Sequence, residues 1–92
     1  MKFCEERPCL APRVRLQRDS VTGDPVLLYP EGILLLNETA HALVVRCDGQ
    51  TSLDTIVESL AAEYEISRSE IESDVDGCMT DLLARNLLIL TT

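Results

Sequence analysis

The stretch from Val26 to Asn37 reads V-L-L-Y-P-E-G-I-L-L-L-N and constrains the fold more than any other part of the chain. Two short apolar runs are split by Pro30-Glu31-Gly32, and Asn37, a helix-capping residue, follows directly. Val26 to Tyr29 and Ile33 to Leu36 are each too short for a helix, so the segment predicts two strands joined by a tight turn just ahead of the first helix. Alternation lets one core bury only half of a strand's side chains, yet Ile33, Leu34, Leu35 and Leu36 are apolar at every position. The outward side therefore needs a cover of its own: a helix of the same chain, a partner subunit, or an incoming peptide that adds a strand to an open edge. A strand buried wholly within the fold is the plain alternative.

The flanking sequence fills in the rest of the architecture. From Arg13 to Arg18 the order R-V-R-L-Q-R alternates as a half-buried strand does, and Asp19 to Pro25 collects turn formers. After the Asn37 cap, Ala40, Leu43, Val44 and Cys47 recur at helical spacing until Asp48-Gly49, which predicts a helix over 38–47. Thr51 or Ser52 caps a second helix that carries Leu53, Ile56, Val57 and Leu60 and ends near Tyr64. Ser67 and Glu70 form a capping box for a third helix, whose stripe is Ile71, Val75, Cys78 and Leu82, and Asn86 can end it in a left-handed turn. Leu87 to Leu90 reads as a short extended segment on the core. Residues 1–12, with Pro8 and Pro12 and no periodic pattern, read as a flexible arm, leaving 13–92 as the domain. The fold class expected is α+β: three N-terminal antiparallel strands, three helices and a short C-terminal extended segment, in the manner of a winged helix-turn-helix.

Charge and chemistry narrow the function. The 92 residues hold 8 basic and 16 acidic side chains, a net charge of −8. The first 18 residues carry five basic against two acidic groups, a local +3, so the remainder stands at −11 and a basic arm faces an acidic body. That field repels polyphosphate, and the third helix sets Glu70, Glu72, Asp74, Asp76 and Asp81 against Arg68 and Arg85, which argues against a nucleic-acid groove binder. No apolar run approaches the roughly 20 residues of a membrane span, and Glu5, Glu6, Arg7 and Pro8 interrupt any signal-peptide core, so a cytoplasmic protein is expected. A single histidine, His41, lies one step from an apolar stripe and reads as structural. Cys47 and Cys78 follow the helical stripes as small core residues, while Cys4 and Cys9 lack a second pair of ligands at metal-binding spacing. The reading is of a non-enzyme without a cofactor or metal.

The segment from Arg15 to Leu90 resembles the pyrroloquinoline-quinone biosynthesis protein D family, PqqD, a type of RiPP recognition element. The resemblance rests on R-L-Q at Arg15 to Gln17, L-L-Y-P-E-G at Leu27 to Gly32, L-N-E-T-A at Leu36 to Ala40, C-D-G at Cys47 to Gly49, and D-V-x-x-C-M-x-x-L-L from Asp74 to Leu83. Where the family often carries a Gly-Trp-Leu-like ending, this chain has Asn86-Leu87-Leu88. The resemblance implies a non-catalytic peptide chaperone in pyrroloquinoline quinone biosynthesis. Such a protein binds the precursor peptide PqqA and presents it to the radical S-adenosylmethionine enzyme PqqE, where the iron-sulfur chemistry resides. It further implies that the peptide adds as a strand beside Ile33, Leu34, Leu35 and Leu36. Val75, Met79, Leu82 and Leu83 would wall the groove, and Tyr29, Pro30, Glu31 and Gly32 would form the turn supporting the edge. Met79, one step off the expected core stripe, has the flexible thioether suited to a peptide contact.

One alternative accompanies this reading: an acidic winged-helix interaction or regulatory domain acting as a structural dimer. Alongside the peptide and enzyme partners, a homodimer formed by exchange of the N-terminal strand about a hinge at Asp19 to Asp24 is a further expectation.

Overall fold

The computed structural model describes residues 4–91. Its elements are β1 (Arg7–Leu10), β2 (Arg15–Arg18), β3 (Pro25–Tyr29), β4 (Gly32–Leu35), α1 (Glu38–Val44), α2 (Leu53–Tyr64), α3 (Arg68–Ala84) and β5 (Leu88–Thr91). The α+β class with three helices after a three-stranded antiparallel sheet is as expected, but the chain builds five strands in two sheets.

The second sheet corrects the expectation of an unstructured arm. Arg7–Leu10 pairs antiparallel with Leu88–Thr91, in the register Pro8 to Leu90 and Cys9 to Ile89, and Pro8 is buried. The extended C-terminal segment is thus a strand. The same N-terminal stretch completes α2, because the Leu53 and Asp54 amides donate to the carbonyls of Glu6 and Cys4 at 2.8 and 2.9 Å. Those are amides that a helix leaves without internal partners. The sequence concealed this role because the strand's partner lies about eighty positions away and a proline in a short run reads as a breaker. Of the arm, residues 1–3 lie outside the described residues, as does the domain's last residue, 92.

In the main sheet the order is β2-β3-β4. Pro25 opens β3, a strand start being a position where a missing N–H is tolerated. The β2–β3 connection is closed on itself: Asp19 N–H donates to the Asp24 carbonyl, and the Asp19 carboxylate accepts the amides of Val21 and Thr22. Gly23 takes the left-handed φ of 79° that this turn requires.

All three helices begin at the anticipated caps. Asn37 Oδ1 accepts the Ala40 amide at 2.8 Å, and Ser52 and Ser67 do the same for Thr55 and Glu70. The first helix ends at Val44 rather than Cys47, because the Arg46 and Cys47 amides turn back to Leu43 and Val44, three residues away, and tighten the last turn. The third ends as anticipated. Asn86 has φ 60°, with Leu87 N–H on the Leu82 carbonyl and Asn86 N–H on that of Leu83, the paired bonds of a left-handed helix stop.

The core is aliphatic and lies between the inner face of β3 and the three helices, with Leu27, Leu43, Leu53, Ile56, Leu60, Ile71 and Val75 fully enclosed. Here the stripe of α3 departs from expectation. Met79 is 0% exposed and belongs to the core with Ile71, Val75 and Leu82, whereas Cys78 is only partly buried. Spacings of three and four residues permit either partner for Val75, and packing of α3 between α1 and α2 selects the larger side chain.

Replacing Met79 with Ala should lower the unfolding free energy by about 2–5 kcal/mol, the range for emptying a full-sized core side chain. Cys78→Ala should cost less than about 1 kcal/mol. Denaturant titration of both variants checks the assignment.

Candidate functional site

The register of the β3–β4 hairpin decides what β4 offers to solvent. Tyr29 pairs with Gly32, Leu28 with Ile33, Leu27 with Leu34 and Val26 with Leu35, around a two-residue Pro30-Glu31 loop. In an antiparallel pair, opposite residues alternate between those that exchange hydrogen bonds and those whose polar groups point away. The Leu36 amide bonds the Pro25 carbonyl at 3.1 Å, which puts Leu34 and Gly32 among the bonded residues. Ile33 and Leu35 therefore direct their N–H and C=O groups to the far side of β4. No strand lies there, since β4 is an edge of its sheet.

Side chains follow the same alternation. Leu34 packs against the core and Leu36 is buried, while Ile33 and Leu35 are 57% and 63% exposed on the opposite face. Beside them on that outer face sit Leu28, which is partly buried, and Val26, which is 3% exposed. The four apolar residues anticipated as an edge are thus split two and two.

Two pockets mark where the ends of α3 lie. One, of about 530 Å³, is bounded by Pro12, Arg13 and Val14 ahead of β2, by Tyr29, Pro30 and Glu31 at the β3–β4 hairpin and by Arg85, Asn86 and Leu87 just past α3. The other, of about 280 Å³, joins Glu38 and Thr39, just past β4, to Tyr64 and Ile66 and to Ile71 and Asp74 in the first half of α3. Strand and helix therefore run in opposite directions, and Asp74, Cys78 and Asp81 share one face of α3.

Of the residues expected to wall the groove, Val75, Met79 and Leu82 are 0, 0 and 2% exposed and lie in the core. Leu83 is partly buried on the flank shared by Glu72 and Asp76, and Glu72 is bound by Arg68, which also holds Asp54 and Glu58 of α2. That flank faces α2. Cys78, read from spacing as a core residue, is only partly buried against that core.

The motifs that carry the family resemblance have identifiable physical roles. Tyr29 to Gly32 form the hairpin that sets the register, and Leu36-Asn37 anchors the end of β4 in the core and caps α1. In Cys47-Asp48-Gly49, the Cys47 thiol donates to the Leu43 carbonyl, and the Asp48 carboxylate accepts the amides of Gln50 and Thr51 at 2.9 and 2.8 Å. These bonds hold the Asp48 carboxyl below its usual range. Gly49, at φ 76°, leaves room for β1, since a Cβ there would stand 3.4 Å from that of Cys9.

Neither Cys47 nor Cys78 is poised as a nucleophile. Burial, followed by the neighbouring Cys9 and Asp48, pushes the Cys47 thiol up to about 12. Burial and then Asp74 and Asp81 raise that of Cys78. Both cations of α3 are engaged by carboxylates, Arg68 as above and Arg85 by Asp81 at 3.1 Å. Among the described residues no cluster of His, Cys, Asp or Glu could hold a metal ion, and no helix is long and apolar enough to cross a membrane.

Comparison with known proteins places this geometry. Residues 25–88 match the family described as Coenzyme PQQ synthesis protein D (PqqD), and the chain belongs to that family. It is 42% identical over 83 residues to a PqqA binding protein of Xanthomonas campestris, covering 90% of each chain. It is 46% identical over 66 residues to one of Methylococcus capsulatus, covering 72% of this chain and 69% of that one. Among solved structures it superposes on the PqqD truncation of Methylobacterium extorquens PqqCD, a stand-alone RiPP recognition element, with a TM-score of 0.77 and 30% identity. That match covers 89% of this chain and 87% of the other.

Two measurements check the site. In hydrogen exchange on the isolated protein, the Leu34 and Leu36 amides should be protected and those of Ile33 and Leu35 should exchange freely; protection at 33 and 35 would mean a different register. With a disulfide reagent at pH 8, about half a unit below the ordinary cysteine value, Cys47 should stay unmodified until the protein unfolds, because burial holds its thiol well above that pH.

Proposed function

We propose that this chain is a non-catalytic recognition domain that binds the precursor peptide PqqA by strand addition at β4 and presents it to the radical S-adenosylmethionine enzyme PqqE. The observation that carries the reading is the open edge of β4, where Ile33 and Leu35 offer two N–H and two C=O groups next to exposed apolar side chains. A strand added there gains main-chain hydrogen bonds that any sequence can supply, and side-chain contacts that only some can. The names of the similar proteins support PqqA as the ligand. The likeness to a stand-alone recognition element supports a domain that works without chemistry of its own.

The peptide site consists of Ile33, Leu34 and Leu35 as the pairing strand, with Leu36 securing its end and Tyr29 to Gly32 fixing its start. Asp74, Cys78, Asp81 and Arg85 take the place of Val75, Met79, Leu82 and Leu83 as the wall on α3. The helices and the β2–β4 sheet are arranged as a winged helix in which the sheet precedes the helices and its edge serves as the docking rail. The domain acts in the cytoplasm, where precursor and enzyme meet, and a surface other than the β4 edge faces PqqE. A dimer made by exchange about Asp19 to Asp24 would have to open that turn's own bonds, and it would leave the β4 edge of each copy available.

Leu35→Pro tests the reading. Proline removes an N–H that points away from β3, so the hairpin can retain its internal bonds while the edge loses a donor and gains a steric block. Binding of synthetic PqqA in a calorimetric titration should fall by at least about a hundredfold, several kcal/mol of lost main-chain pairing. Helical circular dichroism should be unchanged. Unaltered affinity would remove strand addition at β4 from consideration.

A further inference from the structure

Resting on that strand-addition reading, we propose that the pocket at the hairpin end of the β2–β4 sheet binds a carboxylate of the peptide, with Arg13 as its principal cation. Three segments bound this space: Pro12 to Val14 ahead of β2, Tyr29 to Glu31 at the β3–β4 turn, and Arg85 to Leu87 past α3. The Arg13 backbone there is strained. The Val14 amide donates to the Ala11 carbonyl at 3.1 Å, closing a four-residue turn with Pro12 in second place and Arg13 in third, at φ 73°. A left-handed third position favours glycine or asparagine, because a side chain crowds the neighbouring carbonyl. Gly23 and Gly49 fill left-handed turn positions elsewhere in the chain, at 79° and 76°. Here an arginine stands exposed, and no ion pair among the described residues offsets its strain.

Other donors border the same space. Arg85 gives only its Nε to the Asp81 carboxylate, at 3.1 Å, which leaves its terminal nitrogens for another acceptor. The Asn86 amide and the Tyr29 phenol add neutral donors, and Glu31 is the single carboxylate among the bounding residues. Two cations against one carboxylate is an unusual balance in a chain of net charge −8. Leu87, which is 1% exposed, and the partly buried Val14 and Tyr29 supply apolar surface that shields charged hydrogen bonds from water. The pocket past the other end of β4 has the opposite character, with Glu38 and Asp74 on its rim. The two ends of the edge thus differ in sign, and an acidic peptide group is favoured at the hairpin end.

Position completes the case. A strand laid along β4 ends beside Gly32, and Tyr29 to Glu31 directly precede that residue. The peptide residue just past that end reaches the pocket without disturbing the pairing or the cleft between β4 and α3. Main-chain pairing alone is preserved when a strand slides by two residues, since its bonds and faces repeat at that interval. An anchored carboxylate selects one register, and so fixes which part of the peptide extends beyond the domain.

The test uses the intact protein and synthetic PqqA. Arg13→Gly relieves the left-handed strain, so this variant should melt no lower than the parent while its affinity falls about tenfold in calorimetric titration. Arg13→Gln, which keeps length without charge, should bind as weakly. Peptides with each Asp and Glu replaced in turn by its amide, and one with an amidated C-terminus, identify the carboxylate. One of them should lose about tenfold against the parent protein and nothing further against Arg13→Gly. Undiminished affinity of both Arg13 variants, or losses that add to that of Arg13→Gly for every carboxylate, would overturn the site. Hydrogen exchange keeps the two readings apart. Protection of the residue 33 and 35 amides by peptide, together with undiminished Arg13 variants, would remove the carboxylate site and leave strand addition standing. Absence of that protection with the Arg13 losses intact would do the reverse.

Discussion

The pairing of β3 with β4 governs everything this chain offers to a partner. A slip of one residue would turn Ile33 and Leu35 into the core and push Leu34 and Leu36 toward solvent, and it would also exchange which amides are free. Three features prevent the slip. The two-residue Pro30-Glu31 loop fixes the start, the Leu36 amide on the Pro25 carbonyl fixes the end, and burial of Leu36 beside the Asn37 cap ties the strand to the first helix. Each lies within the stretch from Val26 to Asn37, so a local segment sets the geometry of the site.

The rest of the molecule holds that segment still. Leu27 on the inner face of β3 is enclosed by core from all three helices, and the N-terminal segment closes the far end, β1 by pairing with β5 and the Cys4 and Glu6 carbonyls ahead of it by accepting the first amides of α2. Arg68 joins α2 to α3 through three carboxylates, although at the surface such pairs contribute little individually. Its larger effect is on the field, because it occupies a cation that would otherwise be presented by α3. Arg85 is held in the same way by Asp81. Arg13 and Arg15, which make no ion pair among the described residues, lie on the side of β2, so the basic character of the chain gathers at the sheet while the acidic character gathers on the helices.

What the sequence conveyed depended on how local the deciding physics was. Caps at Asn37, Ser52 and Ser67, the left-handed stop at Asn86 and the hairpin at Pro30-Glu31 are each determined within a few residues, and all were legible. The pairing of Arg7–Leu10 was not, because its partner is at the opposite end of the chain. The choice between Cys78 and Met79 was not either: both continue a three-four pattern, and volume available between packed helices decides between them. That exchange moved Met79, one of the four residues expected in the groove wall, into the core.

The division between inner and outer faces follows from size. A domain of 92 residues has a core that its own folding consumes, so an internal chamber for a peptide side chain would remove apolar contacts the fold depends on. An edge strand carries no such cost, since its outward hydrogen-bonding groups and its outer face are unused by the core. Recognition placed there can change with sequence while the fold does not. Ile33 and Leu35 are exposed and can be substituted without opening a cavity, whereas Leu34 and Leu36, one step away on the same strand, cannot. Alternation along four residues thus separates the positions that hold the domain together from those left exposed at the open edge.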